Sequence, residues 1–131
     1  MSKSAKEVAI EFIQAINSHS PDALAGLMTE NHCFVDSTGA NHQGREQMRG
    51  GWGYYFSMFP DYHMVVETSI ESGSVAALFG KASGTHSAGG PDDHWEIPFA
   101  IRAVVESGKV QEWRVYADNH VVYQILERNR G

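Results

Sequence analysis

Apolar residues recur at three- and four-residue spacing before Pro60 and turn to alternation after it. The pattern therefore predicts helices first and strands second. Val8, Ala9, Phe12, Ile13 and Ile16 form one helical stripe. Ahead of it, Ser4-Ala5-Lys6-Glu7 is a capping box: the Ser oxygen takes a backbone N–H and the Glu carboxylate reaches back. Asn17-Ser18-His19 ends this helix. Ser20 then caps a second, short one, with Pro21 at its first position and Asp22 beside its positive end. Leu24, Leu27 and Met28 give that helix an apolar side. Residues 29–44 are polar and turn-rich around the short extended piece Cys33-Phe34-Val35-Asp36, punctuated by Gly39 and Gly44. Residues 45–58 predict a third helix, in which Gly50, Gly51 and Gly53 are interleaved with Trp52, Tyr54, Tyr55 and Phe56. Each Gly costs about 1 kcal/mol against Ala, so a kink or a close neighbour is expected. Phe59-Pro60-Asp61 ends the helical half.

Strands are expected over residues 62–70, 74–86, 94–105 and 109–117. Short turns and one longer loop, residues 87–93, imply a largely antiparallel meander. Helices before strands is an α+β order, and a curved sheet folded over the helices encloses a cone-shaped cavity. In the second strand, Ala76, Leu78, Gly80, Ala82 and Gly84 make one face of nearly all small residues, closed by His86. Such a face leaves room for a close-packed helix or for a ligand. The last strand follows the tight turn Ser107-Gly108 and ends in Asp118. An acid there suits proton transfer in a small cavity, and it equally suits a surface turn. Strict alternation groups Asp118 with Val110, Glu112, Arg114 and Tyr116, opposite Trp113, Val115 and Ala117; a single bulge reverses that.

Composition narrows function more than fold. The 131 residues fit a single domain over 1–131. A net charge of −6 without a run of Lys or Arg argues against a nucleic-acid or anionic-membrane surface. Cys33 is the only cysteine, which excludes an internal disulfide and a thiolate cluster; it is expected as a small buried residue. No apolar leader or membrane-length stretch occurs, so the cytoplasm is the expected compartment. Seven histidines raise a metal site, with His86, Asp92, Asp93, His94 and His120 as its members. No tight ligand spacing supports it, so no metal is expected and Asp92-Asp93 is expected to be solvated. Arg102 and Arg114 fit a cross-strand ion pair with Glu96 or Glu112 better than a substrate clamp.

The order and spacing of several motifs resemble the SnoaL-like branch of the nuclear-transport-factor-2-like superfamily. They are the capped first helix, Phe59-Pro60-Asp61, Gly84-Thr85-His86, Gly108-Lys109-Val110-x-Glu112 and Asp118. The resemblance implies a cone of three helices against a curved sheet, and a homodimer through the sheet's outer face. It also implies a polyketide-cyclase-like role for Asp118 as general acid/base, with Gly-Thr-His preceding it. Asp36 is similar in position to the ketosteroid isomerase base. The Tyr and the protonated Asp that hold the oxyanion in that enzyme are replaced by Phe12 and, approximately, Ala100, which argues against steroid isomerisation. The Arg-x-Asp pair of limonene-epoxide-hydrolase-like enzymes occurs nowhere.

The expectation is thus a cofactor-independent SnoaL-like enzyme acting on a small, largely apolar carbonyl compound. Asp118 transfers the proton, His86 relays it and Asp36 is a further polar contact. His32, Trp52, Tyr55, Phe56, Trp113 and Tyr116 are the expected ligand contacts. The alternative is a non-catalytic ligand-binding or assembly module on the same fold.

Overall fold

The computed structural model describes residues 3–130. Helix α1 spans Ala5–Asn17 and opens on the expected capping box: Glu7 N–H donates to the Ser4 hydroxyl and Ser4 N–H to the Glu7 carboxylate, both at 3.1 Å. Its predicted stripe is buried. Helix α2, Pro21–Gly26, is capped by the Ser20 hydroxyl, which accepts from Ala23 N–H. Strand β1 then covers Met28–Val35, longer than the extended piece expected at Cys33–Asp36. Thr29, Glu30 and Asn31 hide its start because they show no apolar alternation. A hairpin turns through Gly39, at φ 89°, into β2, Asn41–Gln43. Helix α3 spans Arg45–Met58.

The remaining strands are β3 (His63–Ser72), β4 (Val75–Thr85), β5 (His94–Glu106) and β6 (Lys109–Tyr116). A fourth helix, α4, follows at His120–Arg128. The expectation of three helices is corrected here. Val122 and Ile125 are its buried residues, and with Leu126, which packs on the same core, they stand at the i, i+3, i+4 spacing of an amphipathic helix, so the signal for α4 was present in the sequence. Ser107 and Gly108 both take positive φ, 54° and 77°, which suits the two-residue hairpin turn joining β5 to β6.

The six strands form one sheet in the order β2-β1-β6-β5-β4-β3. The meander β3–β6 is antiparallel as expected, while β1 joins β6 in parallel. Helix α1 crosses the inner face over β3 to β6. Phe12 meets Trp113 there at a 4.4 Å ring separation, and both are fully buried. Burial of a large apolar side chain such as Phe12 contributes roughly 1.5–3 kcal/mol. On the small face of β4, Ala76 and Leu78 join the core that contains α1, and Ala82 lines a cavity. No helix among the described residues is long and apolar enough to cross a membrane.

Bulges bend this sheet. One in β3 lies between Val66 and Thr68, where the Val65 carbonyl comes so close to Gly80 that a Cβ there would sit 1.8 Å from the oxygen. Backbone cannot yield as a flexible side chain does. Gly80→Ala is therefore expected to cost about 3 kcal/mol or more, read as a lowered urea midpoint; an unchanged midpoint would show that the bulge is not fixed.

Candidate functional site

Between helices and sheet lies a cavity of about 310 Å³. Helix α3 lends it Met48, Trp52 and Tyr55; β5 lends Trp95, Ile97, Phe99 and Ile101; β6 lends Trp113 and Val115. Helix α4 adds Val122, Tyr123 and Leu126. Asp36, Ser37, His42 and Asn119 form one polar end, tied by the Asp36–His42 and Ser37–Asn119 bonds, and Gln47 is a further polar lining residue.

The β1–β2 hairpin builds that polar end. Pairing Phe34 with His42 and Val35 with Asn41 brings the His42 ring back over the residue that follows β1. Asp36 Oδ2 lies 3.0 Å from His42 Nε2. The other oxygen, Oδ1, accepts from Thr38 N–H at 2.9 Å, the Thr38 hydroxyl at 2.6 Å and Ala40 N–H at 3.1 Å. Burial pushes the Asp36 carboxyl up, but the bonds from Thr38, His42 and Ala40 outweigh it and hold it below its usual value. An ionised Asp36 only accepts, so Nε2 of His42 carries the shared proton, and in the neutral ring Nδ1 is the acceptor nitrogen. Asn119 ties this end to the start of α4 by donating to the Ser37 hydroxyl at 2.7 Å.

The aromatic wall holds two unmet donors. Trp52 Nε1 and Trp95 Nε1 are buried without a hydrogen-bond partner among the described residues, a condition that costs about 1–3 kcal/mol per group. Burial also pushes the Tyr55 and Tyr62 phenols up, so both stay protonated donors.

Of the expected residues, Asp36, Trp52, Tyr55 and Trp113 line this cavity, and five others do not. Asp118 is exposed, and its carboxylate accepts from His120 N–H at 3.0 Å, forming the turn into α4. A bulge does occur in β6, between Val110 and Glu112. It moves Val110 to the inner face with Trp113 and leaves Glu112, Arg114, Tyr116 and Asp118 in the outward phase. Tyr116 is accordingly 53% exposed. His86 stands in the loop after β4, where its Nδ1 accepts from Ala88 N–H and its ring packs edge-on against Phe59. Phe56 faces the helices, stacked on His19 at 4.4 Å. His32 is fully buried beside Phe12, and its Nδ1 lies 2.8 Å from the Val110 carbonyl. Ala100 also lies on the outer face; the neighbours that face the cavity, Phe99 and Ile101, carry no donor either.

His42 was not anticipated. Its signal was the Gly39 turn between Asp36 and His42, which the short β2 made hard to recognise as a hairpin.

The SnoaL-like domain family matches residues 9–113. The chain belongs to that family. Among solved structures, IdmH of Streptomyces antibioticus, a candidate polyketide cyclase, is 21% identical, with a TM-score of 0.79 over 95% of this chain and 99% of that one. An NTF2-like protein of Burkholderia thailandensis E264 is 16% identical, with a TM-score of 0.81 over 95% and 98%. A protein of ketosteroid-isomerase-like fold from Catenulispora acidiphila DSM 44928, in complex with trimethylamine, is 20% identical, with a TM-score of 0.76 over 84% of each chain. At these identities the likeness is one of fold. No curated protein matches the chain.

The motifs that carry the SnoaL-like resemblance brace one another. Asp61 accepts from Thr85 N–H at 2.6 Å and from the Thr85 hydroxyl at 2.7 Å. Gly84 makes room for Trp95 and Phe59, whose atoms a Cβ there would meet at 3.1 and 3.3 Å. Glu112 accepts from Arg102 at 2.6 Å and lies 3.4 Å from Arg114, the cross-strand pairing expected. Asp93 is buried and bonded to Arg128 and Asn129, which corrects the expectation of a solvated loop acid. Cys33 is buried, as expected, and donates to Asn41 Oδ1 at 2.6 Å. Among the described residues no three His, Cys, Asp or Glu side chains are grouped to hold a metal ion.

Burial pushes the His32 imidazole down against the raising effect of its Val110 bond. The unfolded chain then binds a proton at His32 before the folded one does. Its contribution to stability is complete above about pH 6.5 and declines below that, by at most about 1.4 kcal/mol per pH unit. Urea midpoints at pH 7.5 and 5.5 are expected to differ less in His32→Gln than in the parent protein; an equal difference removes His32 as the cause.

Proposed function

We propose that this SnoaL-like protein binds a small, largely apolar carbonyl compound in the cavity and moves a proton on the carbon beside the carbonyl. His42 is the base and Asp36 is the group that orients it. The observation that carries the proposal is the 3.0 Å contact between Asp36 and His42 at the polar end of an otherwise apolar cavity. In such a site Nδ1 takes a proton from carbon, the electron pair moves to the carbonyl oxygen as an enolate, and the imidazolium that forms is stabilised by Asp36. Returning the proton to a different carbon isomerises the compound, and attack of the enolate on a second carbonyl closes a ring. Neither outcome calls on a cofactor.

The trimethylamine complex of the Catenulispora relative supports a second reading, a pocket that binds a small ligand without chemistry. Deuterium incorporation beside the carbonyl of tetralone in heavy water separates the two. Exchange above the solvent rate is expected, falling about 100-fold in His42→Gln and by a smaller factor in Asp36→Asn, with Asp118→Asn unchanged. Exchange no faster than in buffer favours the binding module. Loss in Asp118→Asn with retention in His42→Gln returns the proton transfer to Asp118.

We further propose that two copies pair through the outer face of the sheet, where Val65, Ile70, Phe79 and Tyr116 are exposed. Isolated apolar residues are ordinary at a surface, whereas a shared face of them marks an interface. Sedimentation is expected to give a dimer that Phe79→Glu weakens; a monomer at all concentrations would exclude this pairing.

A further inference from the structure

Tyr55 and Tyr62 carry hydroxyls that the protein itself does not use. Both rings line the cavity, and no described residue bonds to either hydroxyl. The buried side-chain atoms closed off without a partner are His32 Nε2, Trp52 Nε1 and Trp95 Nε1. The two phenol oxygens are not among them, so each keeps surface that a ligand can reach. That surface belongs to the cavity: Tyr62 is 9% exposed, and burial is the main cause that pushes both phenols up. The rings meet edge to face at 5.0 Å between centroids, and Tyr62 adds to the rise at Tyr55, as a neighbouring phenol does. Tyr62 is held firmly, its N–H donating to the Phe59 carbonyl at 3.0 Å and its carbonyl accepting from His19 Nε2 at 2.7 Å.

This pair stands across the cavity from the dyad. Asp36 and His42 come from the β1–β2 hairpin, whereas Tyr62 leads into β3, and three strands lie between β1 and β3. Each strand step is about 4.8 Å, so the two polar groups serve opposite sides of the cavity. A volume of about 310 Å³ is at the small end for ligand sites, which limits the frame to two or three fused rings. The described cavity lining holds no Lys or Arg, and an anionic group there would go unpaired. We propose that Tyr55 and Tyr62 form a second binding pole, and that the ligand is an uncharged fused-ring compound with an oxygen at each end. The ketone lies beside His42, and a hydroxyl or second carbonyl oxygen lies against the two phenols. A phenol both donates and accepts, so it takes either. The aromatic wall covers the apolar frame between the poles. This assignment rests on the proton-transfer reading for which end carries the ketone.

The test is a calorimetric titration of the full chain with tetralone, a hydroxytetralone whose oxygens lie at opposite ends of the frame, and the matching carboxytetralone. The hydroxytetralone is expected to bind about three- to tenfold more tightly than tetralone, and the carboxytetralone more weakly than either. Tyr55→Phe and Tyr62→Phe are each expected to weaken hydroxytetralone binding about three- to tenfold and to leave tetralone binding unchanged. Neither variant is expected to lower the urea midpoint, since each removes a hydroxyl that no protein group needs. Equal losses for tetralone and hydroxytetralone would mean that the rings act by packing alone, which overturns the assignment. So do equal binding of those two probes by the parent protein, tighter binding of the carboxytetralone, no binding, or a variant that loses its fold. His42→Gln is expected to keep the preference for the hydroxytetralone while losing exchange. The preference without exchange in the parent protein sinks the proton-transfer reading alone, whereas exchange without the preference sinks this assignment alone.

Discussion

The parallel contact of β1 with β6 joins a part of the chain near its start to a part near its end, and the cavity depends on it. Phe34 lies against Trp113 and Val35 against Arg114 in that register, so the residues following β1 arrive beside the inner face of the closing strand. The contact is reinforced from both sides of Val110: its N–H donates to Leu27 at 2.7 Å and its carbonyl receives His32 at 2.8 Å. A parallel pair needs a long crossover, here the whole of α3 and the meander. Loop closure makes such a contact entropically costly; the fully buried Phe12, Met28 and Trp113 around it supply the compensating apolar burial.

The frame was largely legible. The capping box, the buried stripe of α1, the meander and the two-residue turn at Ser107-Gly108 are local features, fixed by side-chain spacing or by one turn's backbone. What stayed hidden depends on distant partners. The start of β1 is hidden because Thr29, Glu30 and Asn31 fall in the register shift between Met28, which pairs with Val110, and Cys33, which pairs with Glu112, and so carry no alternation. Helix α4 is the exception: Val122, Ile125 and Leu126 stand at helical spacing and meet the core, so its signal was local.

The site was legible in part, for a related reason. Trp52, Tyr55 and Trp113 could be expected in a cavity wall because large aromatics bury themselves wherever a fold has room. Asp118 could not be placed from alternation alone, since one extra residue in β6 decides the phase of everything on one side of it. That residue falls before Glu112, so it turns Val110 inward and leaves the acid outside. His42 gains its meaning only from the hairpin that sets it against Asp36.

The mutual bracing of Phe59, Asp61, Gly84 and Thr85 bears on what sequence likeness within this family conveys. These residues hold the end of α3 to the ends of β4 and β5, and each is constrained by the others. A change at one of them therefore disturbs its neighbours in the brace. A likeness resting on them transmits architecture. The proposed chemistry lies elsewhere, in a hairpin residue that these motifs do not include, so two chains can agree at every motif and differ in reaction.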